Sequence, residues 1–176
     1  MGARARGAAT NRDTVITGRL YNLGTLSVLR FERRFAIPAE RVWQAVATEE
    51  GLALWFPAQV DWEYRVGGRI HFDVVDSEIL APPGTITVIQ RPRVFGFDWG
   101  GELMRFTISP DLSDATHSVL VFTHAFPKPD PAKFAAGWEI CLRHLDFAVG
   151  GGKEPSLGQE HWLDFYRDYT EAFAAA

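Results

Sequence analysis

From Leu29 to Ala58 the chain reads LRFERRFAIPAERVWQAVATEEGLALWFPA, and few orders of secondary structure accommodate that run. Leu29, Phe31, Phe35 and Ile37 fall in one phase of an alternating strand, and Arg30, Glu32 and Arg34 fall in the other. Arg33 is the one charge in the apolar phase. Pro38 suits the start of a helix, where its missing N–H costs nothing, and Glu40 then lies in the first turn, where a negative charge suits the helix dipole. Val42, Trp43 and Val46 share one face of that helix. Thr48 is placed to cap a second helix with Glu49 and Glu50 in its first turn, and Leu52 and Trp55 turn back to the core before Pro57 stops it. The unit is strand, helix, helix, then sheet.

Beyond Pro57 the chain reads as a meander. Asp61 to Val66 and Arg69 to Val75 flank Gly67-Gly68, a two-residue hairpin signal. Further strands are predicted near Gly84 to Gln90, Val94 to Trp99, Glu102 to Ser109 and Ser118 to Phe126, each bounded by Pro, Gly or an Asp/Ser cluster. Upstream, Thr14 to Leu20 and Thr25 to Ile37, separated by Asn22-Leu23-Gly24, read as a hairpin that extends the first strand. Asp130-Pro131 is a helix start, and Phe134, Trp138, Cys141, Leu142, Leu145 and Val149 recur at helical spacing until Gly150-Gly151-Gly152 ends it. A helix of about 19 residues spans roughly 28 Å, enough to cross a curved sheet. A last amphipathic helix, Gln159 to Phe173, carries Trp162, Phe165, Tyr166, Tyr169 and Phe173. It is expected to pack on the outside of the domain, with a homodimer face as the alternative use of its aromatic stripe.

Pro38, Val42, Trp43, Ala45, Thr48, Leu52, Trp55 and Phe56 stand in an ungapped order. Gly67-Gly68, Pro92-Arg93 and the late-helix set Gly137, Trp138, Leu142 and Leu145 come after them. This pattern resembles the family of Activator of Hsp90 ATPase homologue 1-like proteins, of the START-like (SRPBCC) superfamily, over roughly Leu29 to Val149. The resemblance implies an α+β helix-grip fold, in which a curved antiparallel sheet wraps around a long C-terminal helix and leaves a cavity between them. One departure stands directly after Trp138, where similar sequences are expected to carry His and this chain has Glu139.

A chain of 176 residues is one domain by length, and on folding about 70% of its extended-chain surface is buried. The expected organisation is a disordered tail over residues 1–12, a helix-grip domain over 13–155, and a C-terminal helix over 156–176 packed on it. A net charge of −4 gives no bulk reason to expect nucleic acid or an anionic membrane as partner. The single cysteine, Cys141, excludes an intrachain disulfide framework, and no apolar run approaches the length of a membrane span. The start MGARARGAAT lacks the apolar region of a signal peptide, so a cytoplasmic protein is expected.

Strand phase selects the side chains that meet the late helix. Phe72 lies with Ile70 and Val74, Phe97 and Trp99 with Phe95, Met104 with Phe106 and Ile108, and His124 with Leu120, Phe122 and Phe126. So many rings either line an aromatic cavity for a small molecule or interdigitate and fill the space. The predicted cavity-lining set is Phe72, Phe97, Trp99, Met104, Phe122 and His124 from the sheet, with Trp138, Cys141 and Leu142 from the helix. Gly137 inside that helix costs about 1 kcal/mol relative to Ala. A close approach by a strand or by the first helix is the preferred reason, and room for a ligand is the alternative.

Other chemistry finds less support. A lone inward His such as His124 is more often a hydrogen-bonded core residue than a catalyst, although with Glu102, which shares the phase of Met104, it would form an acid/base pair. Arg33 is expected to pair with an acidic residue at the sheet rim rather than to bind a ligand carboxylate. His71, His117, His124, His144 and His161 occur singly, without metal-ligand spacing, so neither metal nor cofactor is expected. Cys141, on the apolar helix face, is expected to be an inert thiol.

The function expected from the residues and the resemblance together is binding of a small hydrophobic or aromatic molecule between sheet and helix. The resemblance also implies two rivals. One is a co-chaperone that docks on Hsp90 and stimulates its ATPase. The other is a cyclase, dehydratase or isomerase that uses His124 and Glu102.

Overall fold

The computed structural model describes residues 15–74, 81–114, 116–127, 130–151, 154–157 and 159–175. The expected tail over 1–12, and Thr14, Val75 and Gly152 at predicted element ends, lie outside them.

Chain order is β1 (Arg19–Leu23), β2 (Leu26–Phe35), α1 (Ala39–Val46), α2 (Glu49–Leu52), β3 (Ala58–Trp62), β4 (Arg69–Val74), β5 (Gly84–Gln90), β6 (Val94–Trp99), β7 (Glu102–Pro110), β8 (Ser118–Pro127), α3 (Pro131–Gly150) and α4 (Gln159–Ala174). All eight strands form one curved antiparallel sheet in the order β1-β2-β8-β7-β6-β5-β4-β3. The meander from β3 to β8 thus returns to the first hairpin through β2 and β8, and α3 covers the concave face. That is the helix-grip arrangement.

Cross-strand register explains why alternation produces one core. Phe31 stands opposite Phe122, Phe122 opposite Phe106, and Phe106 opposite Phe95, a row of rings across β2, β8, β7 and β6. Phe106 and Phe122 stack with centroids 4.8 Å apart. The adjacent inward row is Leu29, His124, Met104 and Phe97. Each fully buried ring of this kind contributes about 1.5–3 kcal/mol relative to exposure.

The helix boundaries follow their caps. Thr48 Oγ1 accepts from Gly51 N–H at 3.0 Å and starts α2, while Pro38 stands at the N-cap of α1, one residue before the helix. The Asp130 side chain accepts from Lys133 N–H, Pro131 opens α3, and Gly151 at φ +72° ends it. Buried positions run all round α3, from Ala132 and Ala135 to Trp138, Glu139, Leu142 and Leu145, because the sheet lies on one side and α4 on the other. Phe165 and Tyr169 of α4 are fully buried.

Two turns differ from the sequence expectation. The first hairpin turns at Gly24 and Thr25, not over Asn22-Leu23-Gly24, because Gly24 supplies the positive φ of +61° and β1 keeps Asn22 and Leu23. The strand expected over Asp61 to Val66 lies instead at Ala58–Trp62, and residues 63–68 form a wider turn. A Cβ on Gly68 would stand 1.9 Å from the Glu63 carbonyl oxygen, so that turn closes only on glycine. Among the described residues no helix is long and apolar enough to cross a membrane.

Candidate ligand cavity

Between the concave face and α3 lies an open, predominantly apolar cavity of about 540 Å³. The sheet contributes Trp99, Glu102, Met104 and His124, with Gly100 from the β6–β7 turn. Lys133, Phe134, Gly137, Trp138 and Cys141 come from α3 at helical spacing, so they share one face. Among the described residues, Pro57, Pro82 and Trp162 of α4 also line it.

Of the predicted lining residues, Trp99, Met104, His124, Trp138 and Cys141 face this space. Phe72, Phe97, Phe122 and Leu142 do not; they lie behind the lining in the closed core, at 2% exposure or less. Strand phase identifies the face of a residue but not its depth along the sheet. Phe72 stacks on the back of Trp99 at 4.2 Å, and Phe122 packs edge-on to Trp138 at 4.6 Å. Trp162 is a lining residue that the amphipathic pattern of its helix does not reveal. The structure packs α4 on α3 and brings Trp162 round to the cavity, with its ring stacked on Tyr166 at 5.1 Å. Phe134 and Lys133 carry a signal in the sequence, since they precede Trp138 and Gly137, respectively, by one helical turn.

Gly137 lines the cavity, and a Cβ built on it meets nothing within 4 Å. The preferred explanation, a close approach by strand or helix, is therefore wrong at this position. The missing side chain leaves open space.

A hydrogen-bonded relay crosses the cavity wall. Trp138 Nε1–H donates to His124 Nδ1 at 2.9 Å, which leaves the imidazole proton on Nε2, and Nε2–H donates to Glu102 Oε2 at 2.8 Å. His124 is 1% exposed, whereas the Glu102 side chain keeps 30% exposure. The sequence pattern does not force His124 and Glu102 together; the register does, with Met104 opposite His124 on neighbouring strands and Glu102 two residues before it. Both ring nitrogens are engaged, so His124 has no free lone pair with which to take a proton from a bound molecule while the Trp138 bond holds. Burial pushes the Cys141 thiol up to about 12.

A second polar cluster lies where α3, β2, α4 and the segment before β1 meet. Glu139, fully buried, accepts from Thr17 N–H at 3.0 Å and from the Tyr169 hydroxyl at 2.5 Å, and pairs with Arg33 at 3.2 Å. Arg33 also holds Asp146 at 3.0 Å and donates to Thr17 Oγ1 at 2.7 Å. Arg33 thus finds its acidic partners on α3, at 10% exposure, and not at the sheet rim. Its inward phase aims the guanidinium at the helix. Burial, and then the charge of Glu139, hold the Tyr169 phenol far above its usual range. Burial likewise raises the Asp146 carboxyl, against the pull of Arg33. Among the described residues no group of three His, Cys, Asp or Glu side chains could hold a metal.

Comparison with solved structures finds the same fold in proteins of low identity. A conserved protein of unknown function from Enterococcus faecalis, EF2215, is similar with a TM-score of 0.72 at 18% identity, over 90% of this chain and 91% of that one. CalU16 from Micromonospora echinospora is similar with a TM-score of 0.67 at 21% identity, over 92% and 94%. The Aha1 dimer from Colwellia psychrerythraea is similar at 0.57 and 16% identity, over 72% and 98%. No curated protein matches the sequence. A model of the family described as Activator of Hsp90 ATPase homolog 1-like protein matches residues 36–150, which runs from the end of β2 through α3 and, among the described residues, takes in the cavity lining apart from Trp162. On that match, the chain belongs to the Activator of Hsp90 ATPase homolog 1-like protein family.

Proposed function

We propose that this protein binds a small, largely apolar, aromatic ligand in the cavity between the sheet and α3. The observation that carries the reading is the open space at Gly137, inside a helix that would be more stable with any other non-proline residue there. A cavity of about 540 Å³ is within the range that small-molecule sites occupy, and its few polar groups amid aromatic walls match their usual chemistry. Membership of a family whose fold generally binds hydrophobic ligands supports the same reading.

The test is titration with an environment-sensitive apolar fluorophore such as anilinonaphthalene sulfonate, on the wild type and on Gly137→Phe. The wild type should show saturable, one-site fluorescence enhancement. Gly137→Phe, whose ring would stand in the open space, should lose it while keeping the circular-dichroism spectrum. Equal binding by a folded Gly137→Phe variant would overturn the proposal.

A further inference from the structure

Among the described residues two charged side chains line the cavity, and they are of opposite kind. Glu102, on the sheet wall, is a hydrogen-bond acceptor only. Its Oε2 takes the His124 Nε2–H, its Oε1 takes no bond from the described residues, and the carboxylate remains exposed to the cavity. The relay behind it is closed, because the indole N–H of Trp138 is spent on His124 and the imidazole N–H on Glu102. Lys133, on the helix wall in the first turn of α3, is a donor only. It is exposed, and among the described residues its ammonium makes no ion pair.

The same lining carries flat rings, those of Trp99, Phe134, Trp138 and Trp162. Resting on the cavity reading above, we infer that the ligand is a planar aromatic acid that presents a hydroxyl or equivalent hydrogen-bond donor to Glu102 and its carboxylate to Lys133. The reverse orientation would set a ligand carboxylate against the Glu102 carboxylate and give Lys133 only a neutral hydroxyl in place of an anion. A wholly apolar ligand would leave Oε1 of Glu102 covered and unsatisfied, a cost that a donor on the ligand removes. The rings supply stacking area, and the two charged groups supply orientation.

The experiment uses naphthalene probes with substituents at opposite ends of the ring system: hydroxynaphthoic acid, methoxynaphthoic acid and methyl hydroxynaphthoate, with unsubstituted naphthalene as the bare ring. Affinities are measured by calorimetry on the wild type, Glu102→Gln and Lys133→Gln. Hydroxynaphthoic acid should bind the wild type about tenfold more tightly than the methoxy acid, the factor for one charge-assisted hydrogen bond. It should exceed the methyl ester by about threefold, the factor for an ion pair at a solvent-exposed mouth. Glu102→Gln should narrow the hydroxyl preference and keep the acid preference, and Lys133→Gln should do the reverse. If all probes bind the wild type equally, the inference fails and the cavity reading stands. If none binds, naphthalene included, both fail.

Discussion

Trp138 and Glu139 are neighbours on α3 and serve different faces of it. Trp138 donates its indole N–H to His124 at the cavity, and Glu139 turns away to accept from Thr17 and Tyr169. One residue step rotates a helix by about 100°, enough to put the cavity wall and the structural clamp on consecutive residues. The clamp ties α3 to β2, to the segment before β1 and to α4, and α4 in turn supplies Trp162 to the cavity.

Glu139→Ala removes the buried carboxylate, leaves Arg33 with Asp146 as its one acidic partner of the two on α3, and takes the acceptor from Thr17 N–H and the Tyr169 hydroxyl. Leaving buried hydrogen-bonding groups without their acceptor costs about 1–3 kcal/mol, so the urea midpoint should fall accordingly. A loss below about 1 kcal/mol would show that the cluster does not hold the helices together.

Tyr169 sets a pH dependence. Its folded-state pKa is raised above the ordinary phenol value, so its contribution is fully present below about pH 10 and is lost as pH rises above that value. Tyr169→Phe should lower stability at pH 7 by about 1–3 kcal/mol, since Gly18 N–H and Glu139 lose a partner. It should also flatten the alkaline fall in stability. An unchanged alkaline slope in the variant would remove the phenol as its cause.

Gly137→Ala adds a methyl into open space and improves helix propensity. Stability should rise by about 1 kcal/mol, and Tm by roughly 2–4 °C for a chain of this size. A fall in Tm would restore the close-approach explanation.

Cys141 lines the cavity with its thiol pushed up to about 12 by burial. At pH 8 the thiolate fraction is then about one in ten thousand, and iodoacetamide should label the folded protein far more slowly than the urea-unfolded chain. Comparable labelling rates in the two states would contradict the burial.

Much of this architecture is legible in the residues. The alternating strand from Leu29, the Thr48 cap and the Asp130-Pro131 start of α3 are local signals, and the structure follows them. The cavity is less legible. Period-2 phase assigns Phe97 and Trp99 to one face but is silent on which of them reaches the cavity, because that depends on register across four strands and on where α3 crosses. Gly137 carries the right signal, a costly residue in a helix, with the cause left to packing. Arg33 and Glu139, separated by 106 residues, each look anomalous alone, one as a charge in an apolar phase and the other as a charge on a buried helix. Only the tertiary structure shows that each is the other's explanation.

The most direct test of ligand binding at this cavity reads the indole N–H resonances of all six tryptophans during titration with an aromatic ligand such as hydroxynaphthoic acid. Trp99, Trp138 and Trp162 line the cavity, whereas Trp43 and Trp62 border a separate groove and Trp55 is held in the core by its bond to the Ala45 carbonyl. The predicted result is saturable shifts of the Trp99, Trp138 and Trp162 signals with the other three unmoved. Shifts confined to Trp43 and Trp62, or none at all, would contradict it.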